Sequence, residues 1–368
     1  MEAPERWAQR GQRPGADQAA SHGSVGVMVQ QGDSLTVGDV CTAYLEGHVE
    51  RNRKSKGAAE VARMFRTMIG DIAELPAAEL TRERAFSKID SFRHVPVQAS
   101  KLRLELGAAW DYALDAGRLP ESAPNWWRQI MRGRLRSNDR RIKGQPIGTV
   151  KRFLSDAEAG ILISWLPNFS RNVEDALTLY LWTGTRGVEI SSMEGSEVVA
   201  EPDGLWWTIP KAKTKNARHE NATDLRVPLI GRAEAIVRRR IERYGNGWLF
   251  PAERGGHMEQ KVFGQAVHFH MPYSETRPEQ VRPRLPVTHW APHDLRRTAR
   301  TMLAALGCPY EIGEAIVGHK LPGVGGVYNR HNYDKERRYW LAKLDTKLEE
   351  LARLNSCSLS PSKPIATR

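Results

Sequence analysis

The chain has 368 residues and carries 55 Lys plus Arg against 43 Asp plus Glu, a formal charge of +12. Single hydrophobic cores stop growing well short of that length, so two domains are expected, and the positive excess favours a polyanionic partner, nucleic acid first. Three unpatterned cysteines (Cys41, Cys308 and Cys357) exclude a disulfide framework or a CxxC metal site, and no run of about eighteen apolar residues offers a membrane span.

Residues 1–34 are rich in Gly, Gln, Ser and Ala without apolar periodicity and lack the apolar stretch of a secretion signal. They are expected to be a flexible tail, too short for a further domain, on a cytoplasmic protein. From Leu35 the apolar residues Val37, Val40, Tyr44 and Leu45 recur at helical spacing, and AAEVARMFRTMIGDIAEL and VQASKLRLELGAAWDYALDAG continue the pattern, the latter stopping at Gly117. With hardly any strand signal before residue 130, residues 35–130 are expected to form a small all-helical domain.

Residues 131–152 follow as a basic linker, eight Lys or Arg and one acid falling within 132–152, with Gly133, Gly144, Pro146 and Gly148 interrupting any helix. Arg134, Arg136, Arg140, Arg141 and Lys143 are candidate phosphate contacts there; a solvated charge run is the plain alternative.

Ser155 with Glu158 three residues on reads as a capping box, opening a second domain over 153–355. Helix EDALTLYLWTG stops at Gly184, LWWTIP and LRVPLI read as two strands of a small antiparallel sheet, and EAIVRRRIERYG, DLRRTARTMLAALG, YEIGEAIVGH and DKERRYWLAKLDTKLEELARL return to helix. Residues 356–368 are expected to fray. The whole is therefore mainly α with a small antiparallel β-sheet in the C-terminal domain, an α+β fold.

Four pieces carry candidate chemistry: TGTRGVEI at 183–190, TKN at 214–216, HDLRRT at 293–298 and VGHKLPGVGGVYNR at 317–330. His293 and Arg296, three apart at a helix start, share a face that a phosphate can bridge. Arg186 follows a helix-ending glycine, where a guanidinium can be held firmly for bidentate contact with phosphate. Each alone is more commonly a cap or an ion-pair residue.

In this order the four pieces resemble the tyrosine recombinases, or phage integrase family, over roughly residues 150–335, and most closely the integrases of temperate phages and genomic islands. The resemblance implies a helical core-binding domain before a catalytic one, and a site-specific DNA recombinase that integrates or excises mobile DNA through a 3′-phosphotyrosyl intermediate. It implies that Arg186 and Arg296 bind the scissile phosphate with His319 and that Tyr328, nine residues past His319, is the nucleophile. Tyr333 lies close behind as a second tyrosine. Lys215 is expected as the acid on the leaving 5′ oxygen, with Lys213 as fallback and DNA contact. His293 would exchange the tyrosine proton, and Glu189 would support a histidine.

No cofactor or metal is needed. The implied partners are double-stranded DNA at attachment or core sites, further copies of the chain as a tetramer on DNA from a monomer when free, and a DNA-bending or excision factor. The terminal helix from Asp334 could dock on a neighbour or close its own domain. A DNA-binding regulator without cleavage, or a type IB topoisomerase, are the competing functions.

Elsewhere, His268-x-His270 with His289 would present two imidazoles on one side of a strand, but no carboxylate or Cys cluster accompanies them, so packing or DNA contact outranks a metal site. The doublets Trp126–Trp127 and Trp206–Trp207 could stack on bases, yet paired Trp is more commonly core.

Overall fold

Thr36 Oγ1 accepts the Asp39 amide at 3.1 Å while Asp39 Oδ2 accepts the Thr36 amide at 3.0 Å, and this closed capping box starts helix α1, Val37–Tyr44. The computed structural model describes residues 35–135, 140–142, 145–147, 152–218, 223–275, 277, 280–319 and 333–358. They divide into two units, Met1–Gly148 and Thr149–Arg368.

In the first unit α1 continues through a π-helical turn, Leu45–Val49, into the short α2, Glu50–Asn52. Helix α3, Ser55–Met68, buries Val61, Met64, Phe65 and Met68, an i, i+3, i+4, i+7 stripe. Helices α4, Arg82–Asp90, and α5, Pro96–Asp115, complete the core, α5 stopping before Gly117 at φ +65°. Trp127 on α6, Trp126–Gln129, is fully buried and meets Trp110 edge-on with centroids 5.9 Å apart. That Trp is core, not a base platform.

The stretch expected as a basic linker holds an antiparallel strand pair, β1 (Arg140–Ile142) with β2 (Gln145–Ile147). Its glycines and proline hide a strand signal only three residues long on each side.

The second unit opens on the expected box, Ser155 with Glu158, ahead of α7, Asp156–Trp165. Helix α8, Arg171–Thr183, runs through the middle of the core, every residue from Asp175 to Thr183 being buried. Helix α9, Gly187–Ser191, follows at once. The sheet has three strands rather than the expected two: β3 (Val198–Glu201), β4 (Gly204–Ile209) and β5 (Leu225–Leu229), antiparallel in that order, with Trp207 opposite Val198 on one side and Val227 on the other. β3 is four residues long with its two middle residues exposed, too short to show alternation. Trp206 and Trp207 are both buried, Trp206 lying beneath the guanidinium of Arg226 at 4.5 Å.

Helices α10 (Arg232–Tyr244), α11 (Gln260–His270), α12 (Pro292–Ala305), α13 (Tyr310–Ile316) and α14 (Asp334–Ser358) follow, α10 and α14 packing on β5 and the others on helices. α11 was not expected, and it places His268 and His270 at a helix end instead of on a strand. His270 packs edge-on against Trp165 and Phe169, centroids 5.3 and 5.0 Å away, while His289 lies against Tyr273. α14 buries Leu341, Leu344, Leu348 and Leu351 in the core of its own unit, and Asp345 accepts the Trp182 indole at 2.7 Å. These leucines pack α14 into its own unit. No helix among the described residues is long and apolar enough to cross a membrane.

Candidate active site

α8 ends because Gly184 takes the left-handed conformation, φ +65°, which residues with a Cβ resist. Arg186, two residues on, is extended and caps α9. Glu189, in the first turn of that helix, accepts the Arg186 amide at 2.8 Å through one carboxylate oxygen and the Arg186 guanidinium at 2.9 Å through the other. Glu189 is fully buried. Its contact is therefore with Arg186, which it orients, and not with a histidine as expected from the sequence. Gly187 lets α9 sit this close to α8: a Cβ there would fall 1.5 Å from the Tyr180 hydroxyl.

Arg296 projects from α12 into the unit and is 3 % exposed. It donates to the Gly184 carbonyl at 2.6 Å, to the Val317 carbonyl, and to His319 Nε2 at 3.0 Å. Arg186 donates to the next carbonyl, Gly318, at 3.1 Å. Two guanidinium groups thus hang on consecutive carbonyls where Gly318, φ +62°, turns the chain. Burial first, then the charge of Arg186, brings Arg296 down to about 10, so it remains charged near neutrality. Among the described residues no carboxylate hydrogen-bonds it.

His319 follows Gly318 directly. A guanidinium has no acceptor, so Arg296 is the donor, Nε2 holds a lone pair, and the ring proton sits on Nδ1, 2.7 Å from Glu314 Oε2. Burial, Arg296 and Arg186 lower its pKa against the opposing pull of Glu314. His293, in the first turn of α12, is exposed. Partial loss of hydration, then Arg297 and Arg296, lower its pKa too, so it is neutral near pH 7 and able to take a proton.

Two expectations about lysines separate. Lys213 donates to the Ser192 carbonyl at 2.8 Å, to Glu194 at 2.6 Å and to Glu197, with its ammonium 4.8 Å from the centre of the Trp248 ring. Two carboxylates already hold it, which argues against its expected roles as DNA contact or reserve acid. Lys215 stands exposed at the start of the 3-10 turn Lys215–Arg218 in the β4–β5 connection.

Tyr328, Arg136 and Lys143 lie outside the described residues, as do the side chains of Arg140 and Arg141 on β1. Arg134 is exposed in the first unit. The neighbouring Tyr333 points its hydroxyl at Glu311, 3.4 Å away. The structure thus gathers Arg186, Glu189, Arg296 and His319 directly, with His293 beside them and close enough to both arginines to feel their charge. Sequence reading missed Glu314 and its own partner Arg300, 2.9 Å away. The signal was present in YEIGEAIVGH, where a carboxylate stands five residues before the histidine across a helix end.

Among the described residues no group of three or more His, Cys, Asp or Glu is placed to hold a metal ion.

Residues 152–335, half of the chain, match the model of the phage integrase family. Solved structures share the fold at low identity. A lambda integrase tetramer bound to a Holliday junction is 13 % identical with TM-score 0.58, over 83 % of each chain. A lambda integrase dimer bound to a COC′ core site is also 13 % identical, with TM-score 0.57 over 78 % of this chain and 96 % of that one. The Tn1549 transposon integrase in complex with circular intermediate DNA is 16 % identical with TM-score 0.56, over 83 % and 99 %. No curated protein matches the sequence.

Proposed function

Because the chain belongs to the phage integrase family, we propose that it is a site-specific DNA recombinase that cuts and rejoins duplex DNA through a covalent bond to Tyr328. One observation carries this: Arg296 is a buried cation held only by carbonyls and an imidazole among the described residues, with Arg186 hung on the adjacent carbonyl. A buried guanidinium that no carboxylate touches is only partly neutralised, Glu189 and Glu314 acting on it without a hydrogen bond, and a phosphodiester would supply a directly bonded anion between the two guanidinium groups.

The Tyr328 oxygen would attack phosphorus as the bond to the 5′ oxygen breaks. Negative charge grows on the non-bridging oxygens, where Arg186, Arg296 and His319 act. Neutral His293 takes the phenolic proton, and Lys215 protonates the departing 5′ oxygen. The 3′ phosphate stays esterified to Tyr328, so a 5′ hydroxyl from another strand can reverse the step without ATP. The lambda tetramer on a Holliday junction supports four copies acting on two duplexes, with Arg134, Arg136, Arg140, Arg141 and Lys143 along phosphates. A DNA-bending or excision factor would set the direction.

The test is a nicked duplex drawn from DNA flanking the gene, where an attachment site is expected. Wild-type protein should give an adduct that survives denaturing electrophoresis, and Tyr328→Phe should lower its yield by about 10,000-fold or more while leaving binding intact. An adduct that persists in Tyr328→Phe and vanishes in Tyr333→Phe would reassign the nucleophile. Relaxation of supercoils at arbitrary sequences would mark a topoisomerase, and binding without cleavage a regulator.

A further inference from the structure

Glu314 occupies a position the recombination chemistry above does not use. It sits on α13, 14 % exposed, between Arg300 of α12 at 2.9 Å and His319 Nδ1 at 2.7 Å. We propose that Glu314 is a positioning residue for His319, holding the ring by Nδ1 so that Nε2 faces the phosphate site beside Arg296. The inference rests on the recombinase reading and deepens it.

Three facts lead there. The ring makes two opposed contacts, Glu314 on Nδ1 and Arg296 on Nε2, so neither its flip nor its tautomer is left free. Arg300 pins the carboxylate from the opposite side, so Glu314 cannot follow the ring if the ring moves. Finally, the Arg296 nitrogen that donates to Nε2 also donates to the Val317 carbonyl. A phosphate drawing Arg296 toward itself would release Nε2 at the place where the oxygen arrives.

Nε2 can donate to that oxygen only after gaining a proton, which makes the imidazolium the working form. The charged groups facing His319 among the described residues are Glu314 from α13, Arg296 from α12 and Arg186 from the α8–α9 junction. The two arginines oppose protonation. Glu314 is the one anion of the three that favours it, and its own carboxyl is held below the usual range by hydrogen bonds from Arg300 and His319, so it stays charged.

The experiment has two arms on full-length protein. In the first, nitrogen-15 imidazole spectra of DNA-free protein follow His319 through a pH titration. Wild type should show the Nδ1–H tautomer when neutral; Glu314→Gln should weaken that preference and titrate at lower pH. An unchanged tautomer and titration would overturn the proposal.

In the second arm, adduct formation on the nicked duplex is measured from pH 6 to 8.5. Glu314→Gln should cost roughly tenfold at the alkaline end and less at the acidic end, because the imidazolium is lost earlier as pH rises. A loss equal at every pH would mean a structural role and overturn it. Arg300→Gln removes the other partner of Glu314 without touching His319. Because it loosens the pin on Glu314, it should reproduce part of the same alkaline loss, whereas a loss equal at every pH would show that the Glu314–Arg300 pair acts structurally. Failure of wild-type protein to form any adduct would count against the recombinase reading itself, while a normal adduct with an unshifted Glu314→Gln profile would sink Glu314 alone.

Discussion

Arg240 and Arg296 are both 3 % exposed in the same unit, and what touches their guanidinium groups differs. Arg240 has a carboxylate: its Nε meets Asp175 at 2.9 Å, with the Leu249 carbonyl at 2.7 Å, Asn172 at 2.9 Å and the Phe250 ring beneath it at 4.0 Å. Asp175 is itself buried and also holds Arg239 at 2.6 Å. Arg240 also reaches the Arg171 carbonyl at 3.4 Å, whereas Arg296 has three acceptors, two carbonyls and an imidazole. A fold that buries a guanidinium for its own stability supplies the anion. Around Arg296 the carboxylates of Glu189 and Glu314 act without touching it, which keeps its direct anion contact open for a ligand.

Removing each cation should therefore produce opposite signatures. Arg240→Ala leaves Asp175 charged and buried with only the half-exposed Arg239, and should destabilise the protein by about 3–5 kcal/mol in urea denaturation. Arg296→Ala leaves no orphaned carboxylate behind, only the Gly184 and Val317 carbonyls, so its loss of stability should be the smaller of the two. Its cleavage rate on the nicked duplex should fall roughly 100- to 1,000-fold, the usual loss when one donor to a developing oxyanion is removed. If Arg296→Ala unfolded as readily as Arg240→Ala, the contrast between a structural and a ligand-binding cation would collapse.

The lysines repeat the contrast at smaller scale. Lys213 has its anions, Glu194 and Glu197, whereas Lys215 is exposed. Lys215→Ala should slow cleavage by about 100-fold, as loss of a general acid does. A substrate whose leaving 5′ oxygen is replaced by sulfur should recover most of that, since a thiolate leaves without protonation. Lys213→Ala should instead cost about 1–3 kcal/mol of stability by leaving part-buried Glu197 without its cation. Sulfur rescue of Lys213→Ala, and not of Lys215→Ala, would exchange the two assignments.

How far such contrasts can be read without coordinates depends on the range of the interaction. The Ser155–Glu158 box, the stop at Gly184 and the His293–Arg296 pair all span one helical turn, and each was legible. α11 was lost because no cap hydrogen bond marks its start and His268, Phe269 and His270 mimic alternation at its end. The strand pair of β1 and β2 hid inside a charge run. Arg186 and Arg296 are 110 positions apart and meet through the carbonyls of Gly184, Val317 and Gly318, backbone groups that carry no side-chain signature at all. The family motif supplied that meeting where periodicity could not. The carboxylates holding Lys213 lie 19 and 16 residues upstream and reach it only once β3 and β4 fold back.

The smallest expected effect probes whether the charge of Arg296 reaches its neighbours. His293 is depressed below the ordinary histidine range by burial first, then by Arg297 and Arg296. A nearby cation disfavours the imidazolium, so Arg296→Ala should raise the pKa of His293 in a proton NMR titration of the free protein. Burial and Arg297 remain, so the value should stay below that of an exposed histidine. Arg240→Ala should leave it unmoved, because Asp175 neutralises that guanidinium at source. A His293 titration equally insensitive to both substitutions would mean that the charge of Arg296 is already screened before any phosphate arrives, and the argument from its missing anion would fail.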